Sequence, residues 1–458
     1  MKKRSRMVIA ISVILIAVFG LYIFQSQRYR DTYLPRTNVA GVDVGGKTEA
    51  QANQLLQKHF EQQKFTLVDG TKKLVSFTGK TAGVKPEFTQ KLASLKQQQN
   101  PWSWPWHLVK GTSMAQASQS LTVDQTTFNQ FVDKTITQLN QGRTASKNAT
   151  IVKKNGSFTI SSAVSGNRLS AKQLKTTIRQ GLASSNGQIA VKTAYAKPTV
   201  NADSSSLKQA VTKLEKLHNE KITYAINGDK VTVPKATIYS WLTYTNGKVS
   251  LDAAQVKAYI VSLNKQYATI NKDRQFKSTK RGTVTVPAGT YGWSINTASE
   301  VTALSAKVLA GKDFTRTPIV QGSGYSTDKN DIGNTYIEVD KTNQHMWYYK
   351  DGQLVLDTDV VTGKPGQDTP SGVDFIWNKQ TNATLKGTND DGSAYASPVS
   401  YWMPVDYTGV GIHDASWQPK FGGDWYKEHG SHGCVNTPPT TMAKLYSLVD
   451  TGTPVVIF

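Results

Sequence analysis

Residues Met7 to Phe24 form an uncharged run of 18 apolar or small residues, and few conformations are open to such a run. As a helix it extends about 27 Å, close to the roughly 30 Å hydrocarbon core of a bilayer. Lys2, Lys3, Arg4 and Arg6 precede it, so the positive-inside rule leaves the N-terminus in the cytoplasm and everything after Arg30 outside. A cleaved signal peptide is the competing reading. The run is long for such a segment, and Gln25-Ser26-Gln27-Arg28 follows it where an Ala-x-Ala site would stand. The expectation is an uncleaved transmembrane helix with a single pass through the cell membrane.

Charge divides what lies outside. From Asp331 onward there are 8 Lys+Arg and 15 Asp+Glu, a net of −7, which leaves +29 on residues 1–330. A basic stalk of this kind attracts nucleic acid, anionic lipid or an anionic polymer. With the anchor in place nucleic acid is excluded as a partner, and anionic wall polymers or lipid headgroups remain, beside the alternative of a face kept soluble by repulsion.

The stalk carries an internal repeat. The run from Gly156 to Leu169 lies over that from Gly282 to Ile295 without a gap. Upstream, Leu121 to Asp124 with Phe128, Phe131 and Val132 parallels Val249 to Asp252 with Val256, Tyr259 and Ile260. Two α+β modules are expected, over 31–200 and 201–322. Pro101 to His107 interleaves three tryptophans with prolines. Such a stretch stacks on sugars, sits at a membrane interface or, as the reading preferred here, packs onto its own module. The polar, glycine-bearing segment 323–334 reads as a linker.

Beyond it, residues 335–458 read as mainly β: alternating strands around Tyr336–Val339, His345–Tyr349 and Leu354–Leu356, hairpin signals such as Asp351-Gly352, and one helical stretch over Thr441–Val449. Here lies the single cysteine of the chain, Cys434, two residues from His432, one of seven histidines. A thiol becomes an effective nucleophile when an adjacent imidazole takes its proton. Gly433 lets the backbone approach a reacting carbonyl, and a turn here aims consecutive N–H groups at a developing oxyanion. His413, with seventeen residues between it and Ser431, is the second candidate base.

The pattern His413, spacer, Ser431-His432-Gly433-Cys434 resembles that of the L,D-transpeptidases of bacterial cell walls. So do a Lys/Gln-x-x-x-x-Tyr strand, the turn Thr362-Gly363-Lys364-Pro365-Gly366 and the run Thr369-Pro370-Ser371-Gly372. The resemblance implies a multidomain chain: a β-sandwich catalytic domain at 335–458, two peptidoglycan-binding modules before it and the membrane anchor over 1–30. It also implies site roles. Cys434 is the nucleophile and His413 the general base. His432 tunes the thiol or makes a structural hydrogen bond. The Gly433 and Cys434 N–H groups stabilise the oxyanion, and Asp414 orients the base, in the family through its backbone. Tyr401, Met403, Trp417, Ser431 and Asn436 contact substrate; many relatives carry Arg where Asn436 stands.

The implied reaction is a peptidoglycan transpeptidation. The Cys434 thiolate attacks the L-centred third residue of a tetrapeptide stem, D-Ala leaves, and an amine from a neighbouring stem resolves the thioester into a 3→3 cross-link. An L,D-carboxypeptidase, or a cysteine peptidase acting on stems, would use the same residues. A wall-binding protein without activity is disfavoured by the intact motif. Neither a cofactor nor a metal is expected, because His432 and Cys434 are too close in sequence to share tetrahedral ligation.

Overall fold

The computed structural model describes residues 2–114, 121–184 and 187–458. They divide into two compact units, Met1–Thr150 with Ile160–Ser204 and Ile151–Thr159 with Ser205–Phe458. The second unit has its main run from Ser205 onward and also takes in Ile151–Thr159. There the Phe158 N–H donates to Glu215 Oε1 (3.0 Å), and the Phe158 ring lies 5.0 Å from that of Tyr239.

In the first unit the apolar run becomes part of helix α1 (Lys2–Asp31), whose side chains from Met7 to Leu21 are exposed. Its C-terminal end is tied down. Ser26 is fully buried, and Lys96 of α3 (Thr89–Gln98) donates to the carbonyls of Tyr29 (2.6 Å) and Thr32, capping orphan acceptors. Helix α2 (Glu49–Gln62) starts with a capping box, Thr48 with Gln51. The hairpin β1 (Lys64–Asp69) and β2 (Lys72–Thr78) takes a third strand, β3 (Gln188–Ala190), parallel to β1. Helices α4 (Gln125–Leu139) and α5 (Ala171–Ala183) bury Phe128, Val132, Leu174, Ile178 and Leu182 in one core with Phe65 and Leu67.

In the second unit helix α6 (Ser205–His218) precedes a hairpin, β4 (Ile222–Ile226) and β5 (Asp229–Thr232). A third strand, β8 (Phe314–Arg316), again lies parallel to the first. Between them lie α7 (Ala253–Tyr267), the hairpin β6 (Arg274–Ser278) and β7 (Gly282–Val286), and α8 (Thr297–Leu309). The segment expected as a linker is fastened near its C-terminal end. Asp331 pairs with Arg274 at 2.8 Å with both side chains 9 % exposed, and Ile332 joins a core of Phe276, Tyr291, Val373 and Phe458. Polar composition hid this, since its key charge has a buried partner 57 residues upstream.

The C-terminal part contains two sheets. One has the order β11-β10-β9-β17-β12, from β9 (Tyr336–Asp340), β10 (His345–Lys350), β11 (Gln353–Asp359), β12 (Gly372–Phe375) and β17 (Pro454–Ile457). The other has the order β13-β14-β15-β16, from β13 (Gln380–Thr388), β14 (Ala394–Pro404), β15 (Gly411–Asp414) and β16 (Val435–Thr437). Ile337, Val339, Met346 and Ile457 of the first sheet and Met403, Ile412 and Val435 of the second share one core, with Met442 and Leu445 of α9 (Pro439–Leu448). Residues 287–291 bind this part to the preceding module: Tyr291 N–H donates to the Val373 carbonyl (2.9 Å), and Thr290 donates through N (2.8 Å) and Oγ1 (2.9 Å) to Asp374.

Candidate active site

The four-stranded sheet places the pair. His413 stands opposite Trp402 of β14 on one side and Asn436 of β16 on the other. Cys434 is the residue before β16, so it is a diagonal neighbour of His413 across a parallel pair. The chain reaches Cys434 through a tight turn. Ser431 Oγ accepts from the Gly433 N–H (3.1 Å) and donates to the Cys434 carbonyl (2.5 Å), while Gly433 takes φ +122°, open in practice only to glycine. From outside, the Thr362–Gly366 turn braces it: Ser431 N–H donates to the Thr362 carbonyl (3.0 Å) and Lys364 N–H to the Ser431 carbonyl (3.1 Å). Ser431 is thus committed to the turn. The Gly433 N–H, expected at an oxyanion, is bonded to Ser431 Oγ within the turn. The Cys434 N–H has no hydrogen bond among the described residues.

His413 is 3 % exposed. Its Nδ1–H donates to the Asp414 carbonyl at 2.9 Å, which leaves Nε2 as the acceptor nitrogen. Burial holds the imidazole below its ordinary pKa, against the opposing pull of Asp414. The Asp414 carboxylate is elsewhere: it accepts the backbone N–H groups of Ser400 (3.0 Å) and Tyr401 (2.7 Å) in β14. Orientation of the ring therefore comes from a main-chain carbonyl, and the carboxylate holds two strands together.

The thiol of half-buried Cys434 donates to the Gly409 carbonyl at 3.7 Å. Desolvation pushes it up to about 11, assisted by the charge of Asp406 and opposed by a backbone hydrogen bond from Gly411. Burial thus favours the neutral forms of both the thiol and the imidazole. Asp406 also builds the turn that presents the Gly409 carbonyl, accepting from Thr408 N (3.0 Å), Thr408 Oγ1 (2.7 Å) and Val410 N (3.0 Å). At Gly411 a Cβ would meet the Trp402 ring at 2.5 Å, so glycine lets that ring lie across the strand.

The remaining expected site residues divide by strand face. Met403 is fully buried in the core and Tyr401 packs on Tyr446 (4.9 Å), so neither side chain faces the cleft. Their neighbour Trp402 turns the other way and lies 5.8 Å from His413, as does Trp417, which is 48 % exposed. Period-two alternation makes Trp402 and Met403 face opposite ways, but sequence alone did not say which face was core. Asn436 is 2 % exposed, with both main-chain groups paired to Val361, which places it in the sheet beside His413 rather than on the cleft surface.

His432 is exposed and stacks on Tyr395 at 5.1 Å and 10°. Tyr395 was not singled out by sequence reasoning. Its phenol is pushed up, first by desolvation and then by its electrostatic coupling to Cys434. Near the hairpin end, Asp390 accepts from Lys364 (2.5 Å) and Gln367 (2.8 Å). The signal available was the contact-making glycine Gly387, directly paired with Tyr395, whose missing Cβ leaves room for the ring.

These features define a domain class. Residues 334–457 match the family described as the L,D-transpeptidase catalytic domain, and residues 201–316 match a peptidoglycan binding domain family. The crystal structure of a cysteine-to-serine mutant of the Enterococcus faecium L,D-transpeptidase is 56 % identical, covering 55 % of this chain and 100 % of that one, with TM-score 0.50. An avibactam carbamoyl enzyme of Ldtfm is also 56 % identical, over 55 % of this chain and 98 % of that one, with TM-score 0.51. L,D-transpeptidase 1 of Mycobacterium tuberculosis is 23 % identical over 137 residues, and the match spans 29 % of this chain and 53 % of that relative, about half its length. The chain belongs to the L,D-transpeptidase family.

Proposed function

We propose that this protein is a membrane-anchored peptidoglycan L,D-transpeptidase that forms 3→3 cross-links through a thioester on Cys434. The observation that carries the reading is the placement of His413, tied by Nδ1 to a main-chain carbonyl, on the strand beside the nucleophile turn. The free Nε2 takes the thiol proton as Sγ leaves the Gly409 carbonyl and attacks the third-residue carbonyl of a tetrapeptide stem. With burial favouring the neutral pair, proton transfer accompanies attack. The Cys434 N–H supports the oxyanion, and protonated D-Ala departs. An amine of a second stem then attacks the thioester, returning its proton through His413 and freeing the thiol. Water in place of the amine makes the protein a carboxypeptidase.

The two stalk modules are read as copies of one α+β unit that holds or spaces the catalytic domain at the wall. The common arrangement of a hairpin with a third strand parallel to its first supports this. Their basic surface is assigned to anionic wall polymers. Helix α1 is read as the single-pass anchor, which the exposure of its whole apolar window supports. The test is to incubate the full chain in detergent with tetrapeptide-stem muropeptides and weigh the products. Loss of D-Ala with a cross-linked dimer, absent in Cys434→Ala, is expected. Loss of D-Ala without dimer assigns the carboxypeptidase, and no change removes both.

A further inference from the structure

The interleaved tryptophans do not pack into the core of their module. Trp102 is 40 % and Trp106 66 % exposed, and Leu108 and Val109, at 48 % and 76 %, extend the apolar surface. The stretch folds as a turn over Pro101–Ser103 and a short helix over Trp104–His107, and it lies against the outer end of α1. Tyr22 Oη donates to the Trp102 carbonyl at 2.9 Å, and their rings are 5.6 Å apart. Trp104 lies 6.2 Å from both Tyr22 and Tyr29.

These contacts fix a height. Tyr22 stands two residues before the end of the apolar run, and Tyr29 lies about 10 Å further along the helix. Trp104, midway, lies a few ångströms beyond the last apolar turn. The headgroup layer on each side of the hydrocarbon is about 5–8 Å deep. Exposed cations surround this level: Arg28, Arg30, Arg36 and Lys110, with Arg36 donating to the Val109 carbonyl (3.3 Å). Buried Ser26 and the Lys96 cap keep the helix end and the stretch in one arrangement.

We propose that Trp102–Val109 is a second membrane contact, an aromatic patch seated in the outer headgroup layer beside α1. Indole and tyrosine rings favour that layer because one edge is apolar and the other hydrogen-bonds. The patch fixes the tilt and standing of the first module on the bilayer. The proposal rests on reading α1 as an anchor.

The full chain is reconstituted into lipid vesicles, and tryptophan emission is compared with lipids brominated near the headgroup or near the chain end. Helix α1 contains no tryptophan, so any quenching arises outside it. Subtracting the emission of the Trp102→Phe/Trp106→Phe variant isolates those two rings. The expected result is a blue-shifted component that loses more emission to shallow bromine than to deep bromine. A water-like component untouched by either lipid, in protein that resists alkaline carbonate extraction, overturns the patch and leaves the anchor standing. A component shifted by soluble glycan fragments but not by bromine does the same. Extraction of the protein by carbonate overturns the anchor and the patch together.

Discussion

Replacing Asp414 by Asn separates two roles that this residue holds at once. The main-chain carbonyl that receives His413 Nδ1–H is unchanged by the substitution, while the carboxylate that receives the Ser400 and Tyr401 N–H groups is altered. A hydrogen bond to a charged acceptor contributes about 1.5–3 kcal/mol. Asn keeps one acceptor oxygen and turns an amide NH₂ toward the other buried donor, so about 2 kcal/mol of stability is lost. Urea unfolding of the full chain in detergent, beside the parent protein, measures it. At a temperature where both are folded, kcat stays within about tenfold, and the limb of the pH–rate profile assigned to His413 moves to lower pH, because the Asp414 charge no longer supports the imidazolium. If the carboxylate acted on the imidazole, as in a Ser-His-Asp site, the same change would cost on the order of 10⁴-fold in kcat. Such a loss, with stability intact, would refute the division of roles.

Three further outcomes follow from the geometry. The Cys434 pKa is raised to about 11 from 9.0, so its contribution to stability is fully present below pH 9 and is lost as pH rises through about 11; His413 is depressed, so its contribution is present above pH 6.5 and is lost on acidification. Cys434→Ala should therefore remove an alkaline decline of about 2 kcal/mol, read as the urea midpoint at pH 8 and 11. Ser431→Ala deletes both bonds of the nucleophile turn and should slow acylation about tenfold with little change in global stability, followed by single-turnover D-Ala release. Met403→Ala opens a cavity in the core and should cost about 2–5 kcal/mol with substrate KM unchanged, whereas Trp402→Ala should change KM.

Legibility in the sequence followed the range of the interactions. Cys434 and His413 stood out because a nucleophile and a base are scarce residue types in this chain, and their roles need no partner to be suspected. The hairpins were legible from local turn chemistry: Asp351 and Gly352 both take positive φ. Contacts made at a distance were not. Tyr395 meets His432 only because the hairpin reaches the nucleophile loop, and Asp331 looks like linker until Arg274 is beside it. The raised thiol pKa was also hidden, since burial and the position of Asp406 are properties of the folded turn. Trp102 and Trp106 were expected to pack inward; the C-terminal end of α1 holds their stretch at its own flank, and their rings remain exposed.

The central claim is that Cys434 carries the acyl group. Intact-mass measurement of the full chain, quenched in acid within one turnover of a tetrapeptide stem, tests it most directly. The account predicts an adduct equal to the donor less D-Ala, mapped to Cys434, released by hydroxylamine and absent in both Cys434→Ala and His413→Ala. An adduct on another residue, or D-Ala release that persists in Cys434→Ala, would contradict it.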